Sequence, residues 1–211
     1  RQNIFQTQQF QKGYFEVQDA GSQLIASFLK VGEGMRVIDA CAGAGGKSLH
    51  LAAQMQNKGK LIAMDIEAWK LDELQKRAKR AGVSNIETRA IEGTKTIKRL
   101  EETADRLLLD VPCSGLGVLR RNPDAKWKLS MDFIETVKKT QAEILESYSR
   151  MLKVDGQMVY ATCSLLPSEN RKQVDQFIAA QNGRFEFLED RSVLPSEGFD
   201  GFYMARMARK R

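Results

Sequence analysis

The stretch Arg36-Val-Ile-Asp-Ala-Cys-Ala-Gly-Ala-Gly-Gly-Lys-Ser48 decides the fold. Its first five residues, Arg36 to Ala40, read as a buried strand. Gly43, Gly45 and Gly46 then interrupt the apolar run, and Lys47 to Met55 read as a helix. A strand, a glycine-rich turn and a helix in that order open doubly wound α/β folds, whose ligands bind outside the carboxyl ends of the strands. Reading onward, the alternation continues. Lys60 to Asp65 is a second strand, and Glu67 to Ala81 a helix stopped by Gly82. Asn85 to Ala90 and Asp105 to Asp110 are two more strands. A long loop with Pro112, Gly115, Gly117 and Pro123 follows. Asp132 to Leu152 is a long helix ended by Asp155-Gly156, Gln157 to Thr162 a fifth strand, and Ser168 to Ala180 a helix that Ser168 can cap. Phe185 to Leu188 and Phe202 to Arg206 close the chain as two strands with no helix between them. Helical crossovers predict a largely parallel sheet, and the last pair predicts an antiparallel edge. One α/β domain therefore covers residues 20–211, with residues 1–19 as a lead-in.

The glycine turn fits neither common phosphate-binding pattern. A Walker A loop needs glycine where Cys41 stands, and the dinucleotide fingerprint fails at Lys47 and Ser48. A looser nucleoside-binding turn remains, supported by Asp65 at the end of the next strand, where a carboxylate can accept both ribose hydroxyls.

Two cysteines share that rim. Asp110-Val-Pro-Cys113-Ser-Gly115 follows the fourth strand and Thr162-Cys163-Ser164 the fifth. A thiol attacks as the thiolate, so a reactive cysteine needs surroundings that stabilise the anion. Lys47 is a candidate for that task. Cys41 reads as a small buried residue within the turn.

Composition narrows the class. The chain has 211 residues, 42% hydrophobic, enough for one domain with a real core. No apolar run reaches the roughly 18 residues of a membrane helix, and no secretory signal is expected from the opening residues. Three scattered cysteines argue against a disulfide framework and suit a reducing, cytoplasmic setting. His50 is the only histidine and no Cys-x-x-Cys occurs, so no metal site is expected. The formal net charge of +6 suits an anionic partner. Arg1 is not a start methionine, so a longer parent protein is expected.

These motifs resemble the S-adenosylmethionine-dependent RNA cytosine-5 methyltransferases of the Nop/Sun (Fmu-like) type, including the bacterial 16S rRNA enzymes. The likeness runs from about Gly13 to the C-terminus. The family's Asp-x-Cys-Ala-Ala-Pro-Gly-Gly-Lys is matched by Asp39 to Lys47, with Gly43 and Ala44 replacing the usual Ala and Pro. Its Asp-x-Pro-Cys-Ser-Gly is matched by Asp110 to Gly115, and its Thr-Cys-Ser by Thr162 to Ser164. Lesser matches are Gln18-Asp19 with Ser22, Arg120 to Trp127, and Asp200 to Ala205.

The resemblance implies a Rossmann-like methyltransferase fold, with a mostly parallel seven-stranded sheet and helices on both faces. It implies S-adenosylmethionine held by Asp39, Cys41, Ala42, Gly43, Ala44, Gly45, Gly46, Lys47, Asp65, Lys70, Glu92 and Asp110. Glu92 stands where the family often has Asp. By the same likeness Cys163 is the nucleophile toward carbon 6 of the cytosine. Cys113 helps remove the carbon 5 proton or release the enzyme, Asp110 holds the base edge, and Lys47 lies near the base. Carbon 5 of cytosine is a poor nucleophile, so covalent addition suits the residue types independently.

For RNA, the basic loop Arg120, Arg121, Lys126, Trp127 and Lys128 is the best candidate, because it adjoins the site and offers an aromatic platform. Ribosomal RNA is the expected substrate and transfer RNA the alternative. A monomer and an upstream RNA-binding domain are expected. The rivals are a nucleotide-hydrolysing P-loop protein and an RNA-binding module with a relic cofactor pocket.

Overall fold

The computed structural model describes residues 3–211, the Lys128 side chain excepted. Two short helical turns come first: a 3-10 turn at Ile4–Gln6 and α1 at Gln8–Gln11. Helix α2 spans Ala20–Phe28, capped by Asp19, whose carboxylate accepts the Ser22 amide at 3.0 Å. Strand β1 (Arg36–Asp39) leads into α3 (Gly46–Gln54), β2 (Lys60–Asp65) into α4 (Ala68–Arg80), and β3 (Ile86–Ala90) into the short α5 (Thr94–Lys98). Strand β4 (Ala104–Asp110) precedes a loop holding the short α6 (Ala125–Lys128), and α7 spans Met131–Tyr148. Then come β5 (Leu152–Thr162), α8 (Arg171–Ala180), β6 (Phe185–Val193) and β7 (Phe202–Arg209).

The seven strands run in the order β3-β2-β1-β4-β5-β7-β6. Strands β1 to β5 pair in parallel, and β7 is antiparallel to both β5 and β6. Successive residues face opposite sides, so both faces must be covered and the inner strands are continuously apolar. Val37 and Leu108 pack with Ile25 and Leu29 of α2 and Leu51 of α3. Ile38, Leu107 and Leu109 pack on the other face with Ile97, Ile144 of α7 and Val174 of α8. The chain reverses its winding between β1 and β4, which puts the switch point of the sheet beside Asp39 and Asp110.

Three local readings change. The long helix stops at Tyr148 and β5 already begins at Leu152. Asp155-Gly156 lies inside that strand, in a bulge where pairing jumps from Ala104↔Leu152 to Arg106↔Gln157, with Asp155 at φ +63. Helix α8 starts after Asn170, not Ser168, because the Asn170 side chain is engaged elsewhere: it accepts from Thr162 Oγ1 at 2.6 Å and donates to the Ser164 carbonyl at 2.9 Å. The lead-in is docked rather than loose. Phe10 stacks between Phe5 and Phe15 and under the Arg80 guanidinium, and Glu16 pairs with Arg77 and Arg80 of α4. No helix among the described residues is long and apolar enough to cross a membrane.

Candidate functional site

The site is built where the parallel strands end. Asp39 closes β1 and is 1% exposed. Its Oδ2 accepts the Ser48 hydroxyl at 2.6 Å, while Oδ1 has no partner. Burial, reinforced by Asp110, pushes this carboxyl up to about 7, against the pull of Ser48 and Lys47. Asp65 closes β2. Its two oxygens accept the amides of Gly43, at 2.8 Å, and Glu67, at 2.9 Å, which fixes the carboxylate and leaves each oxygen with acceptor capacity to spare.

A cleft of about 750 Å³ opens beside these ends. Its walls include Cys41, Gly43, Asp65, Ile66, Lys70 and Asp110. Ile66 is 69% exposed, an apolar face left bare next to a fixed carboxylate. Apolar walls with a few fixed polar groups suit a small ligand with an apolar plane and vicinal hydroxyls. That is the chemistry of an adenosine, so the residues present fit S-adenosylmethionine. Burial, with Asp39 next, pushes the Cys41 thiol up, which suits a wall and not a nucleophile.

The glycines divide their work. Gly43, at φ +52, lines the cleft, and a Cβ there would meet nothing within 4 Å. Gly45 serves packing instead: at φ +88 its Cβ would lie 2.4 Å from Leu74 Cγ of α4. Ala42 is buried among α3 and α4 residues, and the exposed Ala44 offers its carbonyl to Arg77 at 2.7 Å. Neither lines the cleft, nor does Gly46. Glu92 is exposed and stands off the cleft, because the chain turns at Gly93 and presents Thr94 there instead.

Beyond Asp110 lies the reactive cluster. Lys47, in the first turn of α3, meets Asp110 with Nζ and Oδ2 2.6 Å apart. Burial lowers the ammonium, but Asp110 and then Asp39 outweigh it and leave Lys47 above its ordinary range. The two cysteines meet with Sγ atoms 3.3 Å apart. Each is partly buried, and neither is in a disulfide. In this contact either thiol can donate, while the Cys163 amide donates to Cys113 Sγ at 3.3 Å. Sharing a proton with Cys113 lowers Cys163, against the opposing effects of burial and Asp110, with Lys47 assisting. Cys113 is raised by the same hydrogen bond and by burial. The arrangement sets two thiols where one can hold a proton for the other.

Of the basic loop, Arg120 is exposed, and Lys126 lies 4.6 Å over the ring of Trp127. Trp127 is 79% exposed and so belongs to no core. Arg121 pairs with Asp200, which ties the loop to the turn before β7 rather than leaving its guanidinium free. The Lys128 side chain lies outside the described residues. Among the described residues, no group of three or more His, Cys, Asp or Glu is arranged to hold a metal.

Glu169 escaped the sequence reading. It is fully buried and bonds residues on both cysteine loops. Its only sequence signal was the serine following each cysteine, Ser114 and Ser164.

Comparison with known proteins gives the fold and the family. A ribosomal RNA small subunit methyltransferase B from Pseudomonas syringae pv. tomato is 34% identical over 94% of the chain and 48% of its own length. A probable ribosomal RNA small subunit methyltransferase B from Synechocystis sp. is 38% identical over 83% of the chain and 40% of its own length. The chain thus spans about half the length of the curated relatives it matches, or less. The crystal structure of NSun6 from Pyrococcus horikoshii with SFG, an S-adenosylmethionine analogue, superposes with a TM-score of 0.90 at 27% identity, covering 100% of this chain and 57% of that one. Residues 26–208 match the family described as 16S rRNA methyltransferase RsmB/F, and with the seven-stranded sheet and its cleft they show that this chain belongs to that S-adenosylmethionine-dependent family.

Proposed function

We propose that this domain transfers a methyl group from S-adenosylmethionine to carbon 5 of a cytosine in RNA, small-subunit ribosomal RNA being the substrate, through a covalent adduct on Cys163. The observation that carries the reading is the pair of thiols 3.3 Å apart beside the Lys47–Asp110 pair, at the edge of the cleft. Bound in that cleft, S-adenosylmethionine supplies an electrophilic methyl on a sulfonium.

The residues divide the remaining work. Cys163, as thiolate, adds to carbon 6 of the cytosine, which makes carbon 5 electron-rich. Asp110 holds the base at its ring nitrogen 3 and amino edge; Lys47 engages Oδ2, and no described side chain bonds Oδ1. After methyl transfer Cys113, whose own thiol proton has passed to solvent once Cys163 is held in the adduct, takes the proton from carbon 5. The carbon 6–sulfur bond then breaks, and Cys163 leaves as thiolate. Asp65 takes the ribose hydroxyls. Exposed Trp127 and Lys126 receive a flipped-out strand by stacking and charge. An RNA-binding domain upstream selects the site on ribosomal RNA, in the cytoplasm.

The test uses Cys113→Ala protein, S-adenosylmethionine and unmodified RNA, analysed on a denaturing gel. A protein–RNA adduct that disappears when Cys163 is also replaced is the expected result, and sequencing the trapped RNA names the cytosine. No adduct from protein that binds S-adenosylmethionine, together with wild-type methyl transfer to a short cytosine-containing loop, rejects the two-cysteine route.

A further inference from the structure

We propose that Glu169 is a positioning residue that sets the separation of the two thiols, acting through the serine that follows each cysteine. The role rests on the two-thiol reading above, but it concerns geometry that is measurable without RNA.

Glu169 has no exposed surface. Its Oε2 accepts the Ser114 amide at 2.8 Å and Gln141 Nε2 at 3.0 Å, and its Oε1 accepts the Ser164 hydroxyl at 2.7 Å. One carboxylate therefore grips residue 114, next to Cys113, and residue 164, next to Cys163. The two serine hydroxyls also meet directly, 3.0 Å apart. Glu169 is itself fixed at the backbone, where its carbonyl accepts the buried Tyr160 hydroxyl at 2.6 Å. Gln141 is locked in turn: it donates to the Pro112 carbonyl, one residue before Cys113, at 3.0 Å.

The choice of residue carries the argument. No lysine, arginine or histidine bonds this carboxylate; its described partners are neutral donors. Burying a carboxylate among neutral donors is an expensive way to close two loops if closure alone is needed. An acceptor-only group has a geometric merit: both oxygens can face donors at once. A glutamine here could keep the Ser114 arm through its oxygen, but would meet Ser164 only by donating to a hydroxyl that already accepts the Leu166 amide at 3.1 Å, so the Ser164 hydrogen would have to turn away. The loops leave different strands, β4 and β5, so the grip sets how far apart the two sulfurs stand.

Disulfide formation between Cys113 and Cys163 serves as a ruler. Diamide takes up the two thiol hydrogens and leaves the disulfide, at a rate set by how closely the sulfurs approach. The cross-linked peptide is quantified by mass spectrometry in otherwise intact protein. In Glu169→Ala the cross-linking rate is expected to fall about tenfold, and methyl transfer about 100-fold, the scale for a displacement near 1 Å at a reacting centre. In Glu169→Gln, which can still bridge both loops, both should fall by less. Glu169→Asp should recover part of both, and S-adenosylmethionine affinity should be unchanged. If Glu169→Ala does not fold, Ser164→Ala removes the Oε1 arm together with the Ser114 hydroxyl contact and the bond from the Leu166 amide, leaves the Oε2 arm in place, and is expected to slow cross-linking by a smaller factor. Wild-type cross-linking rates in the folded variants overturn the proposal, even if their melting temperatures drop. Should Cys163→Ala keep methyl transfer, the proposed reaction falls, while the ruler still decides the role of Glu169.

Discussion

Gly117→Ala is the sharpest test of how Cys163, the proposed nucleophile, is placed. Gly117 sits in the loop after Cys113, and its amide donates to the Cys163 carbonyl at 2.8 Å. Its own carbonyl accepts the Gly201 amide, also at 2.8 Å, so one residue joins the end of β5 to the start of β7. A Cβ on residue 117 would lie 2.0 Å from the Gly201 carbonyl oxygen and 2.8 Å from that of Cys163. Both obstacles are backbone, so no side-chain rotation relieves them. Since real Cβ contacts essentially never fall under 3.0 Å, the loops must separate by at least 1.0 Å.

Overpacking of this kind costs about 1–3 kcal/mol. Losing one or both hydrogen bonds adds about 0.5–1.5 kcal/mol each. The sum is about 1.5–6 kcal/mol, which in a domain of this length lowers the melting temperature by roughly 3–24 °C. Most of the displacement falls between Gly117 and Gly201, and Cys163, whose carbonyl stands 2.8 Å away, shares in it, so methyl transfer should drop by up to about 100-fold at temperatures where the variant is folded. Gly117 does not line the cleft, so S-adenosylmethionine affinity should stay near wild type. Calorimetry, a methyl-transfer assay and cofactor titration read the three effects. A variant that melts and turns over like wild type would show that these loops do not meet as described, and the placement of Cys163 would have to be rebuilt.

Asp39→Asn tests the buried carboxyl: with its pKa raised to about 7, Asp39 supports the fold below about pH 4 and that support fades as pH rises through about 7. The variant should flatten the fall in stability over that window, whose amplitude is at most roughly 4 kcal/mol, in urea titrations at several pH values; an unchanged slope rejects the assignment. Lys47→Met leaves Asp110 without its cation in a partly buried site, and denaturant unfolding should show a loss of about 1–3 kcal/mol together with a collapse of methyl transfer. Retained activity would remove Lys47 from the site. Trp127→Ala should leave stability within about 0.5 kcal/mol, because the ring is exposed, yet weaken RNA binding by about 1–3 kcal/mol through lost stacking. Equal RNA affinity would point to another platform.

The alternation of strands and helices was legible because parallel strands covered on both faces are apolar throughout, and the helices between them carry their own period. What failed to read was local and had local causes. Asp155-Gly156 looked like a helix stop, yet with Asp155 at φ +63 it makes a bulge within β5. Ser168 looked like a cap, but position alone does not tell which of Ser168 and Asn170 precedes the first helical turn. Gly45 looked like room for a ligand and is room for Leu74.

The site divides along the same line. Cys113, Cys163, Asp110 and Lys47 were findable because each ends a strand or opens a helix on one rim, and topology brings such positions together. Glu169 was not findable in that way. A glutamate just ahead of a helix ordinarily reads as a solvated charge favoured by the helix dipole, and only the third dimension shows it buried between two serines. Groups that do chemistry have to reach a shared opening, so the ends of strands betray them. Groups that hold the chemistry in place lie behind that opening, where their partners come from distant parts of the chain, and no spacing along the sequence records the meeting.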